Sequence, residues 1–460
     1  MFGMFAPKCS LELVHKAWVE YRWRWFGENL GWDTLRDAKL VRPEDVPCAA
    51  KSRLDESDAN QIFGFIADSM PVDRERVCLR VLPDNEMPDG AVGLFELRGT
   101  SSDSSDDPSK SHIFLAKSEL QDPLSCVSSL AHELAHEVLL GRGLQDRNAS
   151  DMEWTTDLLT AFLGYGLFVA NNTVRDQSYS DGEMSYFSIS RKGYIPSHVF
   201  GHALALFAWL RAESDLDWVG LLRLDARKQF KQSLNFFEKK GDVLVSPDDM
   251  SDNRVQRGVE SEFSINKMSP THRLGKLWEM GDRFPDSPQT ISISTQLLRD
   301  KEPEIRAQAL GYFQNASQIP EGSVEALNEV LLTGDHNETL TAALILNQHQ
   351  LAPPIAYDAI VHLLKYPDRD VAFYAALVMG QLAVNLDLPQ DHSELAQNVA
   401  IATEKALRSD DFEIAENLHS VLKRIDGFPE MVKSQFSAWS EERIADLIRF
   451  WESKPDSFGA

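Results

Sequence analysis

The sequence predicts an α+β domain followed by an all-α domain of paired helices, and three observations carry that prediction. Three strand-like segments cluster between residues 76 and 120. Helices with periodic apolar residues follow them directly. Beyond residue 290 the texture changes to short helices in pairs, with a motif that recurs at a period a little over 30 residues.

The first 60 residues are rich in aromatics, as in Trp18-Val19-Glu20-Tyr21-Arg22-Trp23-Arg24-Trp25-Phe26, and lead into a Pro-punctuated stretch at 41–48. They read as a helix packing Trp and Phe on a neighbour, with a stacking surface for bases or sugars as the alternative. A short helix follows at 60–69. Alternation marks 76–82 as a strand; 90–98 and 112–120 are two more, separated by the acidic, Ser-rich loop 100–110. Asp122-Pro123 then supplies an N-cap and a favoured first-turn proline. That helix runs to Gly141 with Leu124, Val127, Leu130, Leu134 and Val138 on one face. The next opens at Ser150-Asp151-Met152-Glu153 and continues through Leu158, Leu159, Phe162 and Leu163, and a third spans 197–212. The polar stretch beyond it contains Asp248-Asp249-Met250-Ser251-Asp252-Asn253 and marks a domain boundary. The expected organisation is a helical aromatic segment at 1–70, the α+β domain at 71–238, a polar linker at 239–289 and the helical-pair domain at 290–460.

In that last region an acidic residue in a turn precedes Ala-Leu inside a helix. The copies are Asp300 before Ala309-Leu310, Asp335 before Ala343-Leu344, Asp368 before Ala376-Leu377 and, degenerate, Asp410 before Asn417-Leu418. Such a period, with Arg306 in the first copy, belongs to stacked helical hairpins forming an α-solenoid. The region resembles HEAT-like repeats over 290–430, and a helix at 434–451 is expected to cap it.

At 460 residues, and with roughly 150 per domain, the chain holds two to four structural units. Its 43% hydrophobic and 25% charged residues are those of a folded globular protein. A net charge of −25 argues against nucleic acid or an anionic membrane surface as partner, since both need a basic face. Cys9, Cys48, Cys78 and Cys126 form no C-x-x-C pair, no basic start precedes an apolar run at the N-terminus, and no later segment nears 20 uncharged apolar residues. A cytoplasmic protein is expected.

The chemistry lies in Ala131-His132-Glu133-Leu134-Ala135-His136, an H-E-x-x-H on the helix that follows the strands. Residues four apart sit one turn above each other, so both imidazoles reach one zinc ion, and Glu133 can take a proton from the water that the ion activates. A catalytic zinc needs a third protein ligand. Glu153-Trp154-Thr155-Thr156-Asp157, on the next helix, places two carboxylates four apart on an otherwise apolar element. Ser150-x-x-Glu153 is also a capping box, which would use Glu153 for helix initiation alone.

With H-E-x-x-H on one helix and E-x-x-x-D on the next, residues 75–215 resemble the gluzincin branch of zinc metallopeptidases. The resemblance implies a zincin-like fold, with His132, His136 and Glu153 on Zn2+ and Asp157 hydrogen-bonded to a ligand histidine. It also implies an extended peptide laid along a sheet edge above the active-site helix. The spacing from His136 to Glu153 is shorter than is usual in that family, which leaves Asp157 open as the third ligand. The metzincin pattern is excluded by Leu139 and Arg142, which stand where a Gly and a His are required. An oxyanion donor is expected among Tyr194, His198 and His202, with Tyr194 and His202 preferred.

The sequence therefore predicts a zinc metallopeptidase with Glu133 as general base, acting on a peptide or protein substrate, with a helical-repeat domain for a protein partner. The alternative is a non-proteolytic, zinc-binding interaction scaffold, which would have no need of Glu133.

Overall fold

A computed structural model describes residues 8–99, 107–172, 195–239, 241–250, 265–389 and 393–453. The described residues are mostly helical, with nineteen α-helices and one three-stranded sheet. The chain divides into two compact units, Met1–Trp278 and Glu279–Ala460. No helix among the described residues is long and apolar enough to cross a membrane.

The first unit runs α1 (Leu13–Leu30), α2 (Trp32–Asp37), α3 (Glu56–Ser69), β1 (Val77–Leu82), β2 (Gly93–Glu96) and β3 (Ser111–Ala116), then α4 (Pro123–Leu140), α5 (Met152–Phe162), α6 (Gly166–Asn172), α7 (Ser197–Leu210) and α8 (Leu224–Glu238). The strand order is β1-β3-β2; β1 is parallel to β3, and β2 antiparallel to it, which makes β2 an edge. The last expected strand ends early, because Lys117–Gln121 turns as a 3-10 helix. Asp122 accepts the backbone N–H of Leu124 and Ser125 and so starts α4, with Pro123 in its first turn. Val127, Leu130, Leu134 and Val138 are buried as the periodicity requires, whereas Leu124 is exposed.

The aromatic segment packs its Trp and Phe on neighbours, as expected, and forms part of the core of this unit. Eleven of the eighteen residues of α1 are buried, so it presents no stacking face to a base or a sugar. Trp23 and Phe26 both meet Phe162 of α5 edge-on, with ring centroids 5.2 and 5.3 Å away.

The expected linker at 239–289 contains α9 (Pro270–Arg283), and the division between the units falls within that helix. The second unit then runs α10 (Pro288–Leu297), α11 (Pro303–Gln314), α12 (Glu321–Thr333), α13 (His336–Gln348), α14 (Ile355–Val361), α15 (Arg369–Asn385), α16 (Ser393–Arg408), α17 (Phe412–Lys423), α18 (Phe428–Gln435) and α19 (Glu441–Ser453). Its helices stack in two layers, with α10, α12, α14 and α16 in one and α11, α13, α15 and α17 in the other. Two of the recurring acids are helix starts: Asp335 caps α13 and Asp368 caps α15 through their carboxylates, whereas Asp300 and Asp410 lie in the turns before the N-cap residues Glu302 and Asp411. Ala309, Ala343 and Ala376 behind them are fully buried, which lets successive hairpins approach closely. The single expected capping helix is two, α18 and α19.

Candidate metal centre

Helix α4 carries His132 and His136 on the face it turns toward α5, and α5 answers with Glu153, Thr156 and Asp157. The three ligand atoms of His132, His136 and Glu153 lie within 4.8 Å of one another, and no other such group occurs among the described residues. Nε2 of His132 is 3.1 Å from Nε2 of His136 and 3.1 Å from Oε2 of Glu153, and His136 Nε2 is 3.5 Å from that oxygen. For an ion held at about 2.0–2.1 Å in a tetrahedron, neighbouring ligands stand about 3.3–3.4 Å apart, so these separations fit one cation.

The far side of each ring is already engaged. Nδ1–H of His132 donates to Asp157 Oδ1 at 2.8 Å, while Asp157 Oδ2 accepts the backbone N–H of Ile195 at 3.1 Å. The hydroxyl of Thr156 donates to the carbonyl of Met152 at 2.9 Å, so its oxygen is left to accept Nδ1–H of His136 at 3.3 Å. Both Nε2 lone pairs are thereby aimed at the same point, an arrangement that repels unless a proton or a metal ion sits between them. Asp157, fully buried with both oxygens hydrogen-bonded, is not placed as the third ligand. Ser150 does not cap α5 either. Asp151 is the N-cap residue without a side-chain cap bond, and Glu153 is free to turn to the imidazoles.

Charge in the site follows from this packing. Burial opposes a charge on His132, but the hydrogen bonds to Asp157 and Glu153 outweigh it and hold its pKa well above the usual range. Burial raises the pKa of Glu133 against the opposing pull of His132 and His136. Burial also acts upward on Glu153, yet its hydrogen bonds to the two histidines win and keep it well below the usual carboxylate range. The Glu153 side chain is 42% exposed against 9% for His132, so the group is reached from the side of the carboxylate.

Several neighbours were not anticipated from the sequence. A Cβ on Gly93 would fall 2.4 Å from Glu133 Oε1, so a larger residue in the edge strand β2 would displace that carboxylate. Phe95 stacks on His136 with centroids 5.9 Å apart. From α1, Arg22 and Trp18 donate to Asp151 Oδ2 at 2.6 and 3.0 Å, while Gln145 donates to its other oxygen at 3.0 Å. This buried cluster fixes the start of α5, two residues before Glu153. The aromatic run in the sequence held that signal, but its direction could not be read.

The expected oxyanion donors fare differently. His202 is fully buried, with Nδ1 against Ser233 Oγ at 2.8 Å and Nε2 against Glu20 Oε1 at 3.3 Å. Neither nitrogen is available to a substrate, so that expectation is corrected: the apolar helix α7 turns His202 into the packing of α1 and α8. Tyr194 lies outside the described residues. His198 is exposed in the first turn of α7. No family model matches the chain, and no curated protein matches it. What stands is the geometry itself, a His-His-Glu group able to hold a metal ion with a buried glutamate alongside.

Proposed function

We propose that the first unit is a zinc-dependent metallopeptidase of the gluzincin type and that the second is an α-solenoid of HEAT-like hairpins serving a protein partner or substrate. The observation that carries the reading is the convergence of both Nε2 atoms and Glu153 on one point, with Glu133 on the same helix. Two imidazoles and one carboxylate suit zinc among the first-row metals. When bound, Zn2+ supplies Lewis acidity and brings the pKa of a water it holds to about 7.

The chain's own residues supply the rest. Asp157 and Thr156 hold the two rings in the tautomer that presents Nε2. Glu133 accepts the proton of the attacking water and delivers it to the departing amine; its raised pKa brings it nearer to neutrality, where both transfers are favourable. The free edge of β2, whose first residue touches Glu133, offers main-chain hydrogen bonds to an extended peptide. The strong negative charge disfavours nucleic acid and anionic membranes as partners, and four cysteines outside any disulfide suit a cytoplasmic setting.

The test measures metal content of the purified protein and its hydrolysis of an unfolded protein substrate. Wild type is expected to hold one zinc, Glu153→Ala to lose it, and Glu133→Gln to keep it while hydrolysis falls by about 10²–10⁴. Stoichiometric zinc without hydrolysis would replace the peptidase with a metal-bearing scaffold. Failure of wild type to take up zinc after reconstitution would end both readings.

A further inference from the structure

We infer that Cys78 is a nucleophilic thiol, activated by His112, that takes up soft carbon electrophiles by S-alkylation on the face of the sheet turned away from α4. Side chains alternate along a strand, and Ser111 of β3 is turned to α4, where its hydroxyl donates to Glu137 at 2.7 Å. His112 therefore faces the other way. Its partners in register are Cys78 on β1 and Glu96 on β2, so the three residues form one row across the sheet.

Within that row Cys78 Sγ lies 3.0 Å from His112 Nδ1. The carbonyl of Ser111 lies farther from Sγ, at 3.7 Å. His112 Nε2 is 3.4 Å from the carbonyl of Asp107, which can only accept, and this fixes the ring with the proton on Nε2 and the lone pair on Nδ1. Nucleophile, base and an orienting acceptor thus follow one another in the order that activates a thiol. The imidazole is 2% exposed and stacked on Phe114 at 6.1 Å, so it is held in place, while Cys78 remains partly exposed. Arg80 and Glu96 share this face, and the Asp107 carboxylate also acts on His112.

In the reaction the Sγ proton passes to Nδ1 and a sulfur lone pair forms the S–C bond. With a haloacetamide the carbon–halogen bond breaks and halide leaves; no oxidant or reductant is needed. Two of the other three thiols serve as slow references. Cys126 is buried, with its pKa pushed up to about 12, and Cys48 is partly exposed, with a hydrogen bond to Asp58 that raises its own.

The experiment treats the full-length protein with iodoacetamide from pH 5 to 9 and follows each cysteine by peptide mass spectrometry. Cys78 is expected to react about three- to tenfold faster at pH 7 than an unstructured cysteine peptide in the same tube, with half-maximal rate below the ordinary thiol value of about 8.5. His112→Phe, which keeps an aromatic ring against Phe114, should return Cys78 to the rate and pH dependence of an ordinary thiol. A wild-type Cys78 that titrates as an ordinary thiol and reacts no faster than the unstructured peptide overturns the inference, whether or not the His112 variant folds. So does a folded His112→Phe protein whose Cys78 reacts as before.

Discussion

The two units differ in how deep their ion pairs go. Beside exposed pairs such as Arg36 with Asp33, the first unit holds pairs with both members inside: Arg22 with Asp151 at 8% and 11% exposure, Lys16 with Glu20 at 4% and 0%, His132 with Asp157. In the second, the arginines of the described pairs keep contact with water, and several reach from one hairpin to the next, as Arg299 does to Glu329 and Arg369 to Asp411 and Glu413. Burying both ions costs several kcal/mol each unless every polar atom is satisfied. A fold tolerates that where side chains must be held in one arrangement, and two of these pairs, Arg22 with Asp151 and His132 with Asp157, hold α5, the helix that carries Glu153. The second unit has only to stack, and alanine-lined crossings do that without buried ion pairs.

The largest expected effect breaks the first half of this contrast. Arg22→Met leaves Asp151 buried beside Trp18 and Gln145 with its cation gone, which is expected to cost about 3–5 kcal/mol. Burial pushes the Asp151 carboxyl up, and the Arg22 charge is what holds it below its ordinary value. Urea unfolding followed by tryptophan fluorescence reads it, because eight of the ten tryptophans precede residue 279. Zinc affinity is expected to fall with it, since Asp151 opens the helix of Glu153. A loss under about 1 kcal/mol would mean that the buried pairs of the first unit are no more demanding than surface ones.

A smaller effect follows pH in chelator-treated protein. The pKa of His132 is raised on folding, so its contribution is fully present below about pH 6.5 and is lost as pH climbs through the raised value. Glu133, also raised, acts in the same sense from about pH 4.5 upward, whereas Glu153, depressed, contributes above that pH and loses its contribution in acid. Metal-free protein should therefore melt earlier at pH 9 than at pH 6, and Zn2+ should remove most of that difference by taking the place of the proton. A metal-free melting temperature that climbs from pH 6 to 9 would contradict the arrangement of the two rings.

What could be read in the sequence was what local chemistry encodes. Asp122-Pro123 announced α4, the four-residue spacing announced that His132 and His136 share a face, and the acids before Ala-Leu announced the hairpins. Glu153 and Asp157 were legible as a pair, with Glu153 expected on the metal side; that the N–H of Ile195 holds Asp157 behind His132 was not. Gly93 could not be recognised either, since its reason is the carboxylate of Glu133, forty residues on. His202 misled for a related cause: a histidine on an apolar helix looks the same from sequence whether it faces a cleft or, as here, Glu20 and Ser233.

The smallest effect sharpens the second half of the contrast. Arg299 and Glu329 are each about half exposed, so water screens the pair and Arg299→Ala is expected to cost under about 0.5 kcal/mol. Arg306 differs, because its partner Glu338 is 2% exposed and its guanidinium also donates to the carbonyl of Asp300 at 2.8 Å. Glu338 keeps one other bond, from the backbone N–H of Asp335, so Arg306→Ala leaves it buried with a single donor and should cost about 1–2 kcal/mol. Amide hydrogen exchange along α11 and α13 measures both variants in the unit concerned. Equal protection in the two would place the stability of the stack in its alanine crossings alone; a selective loss in Arg306→Ala would show that a half-buried ion pair links one hairpin to the next.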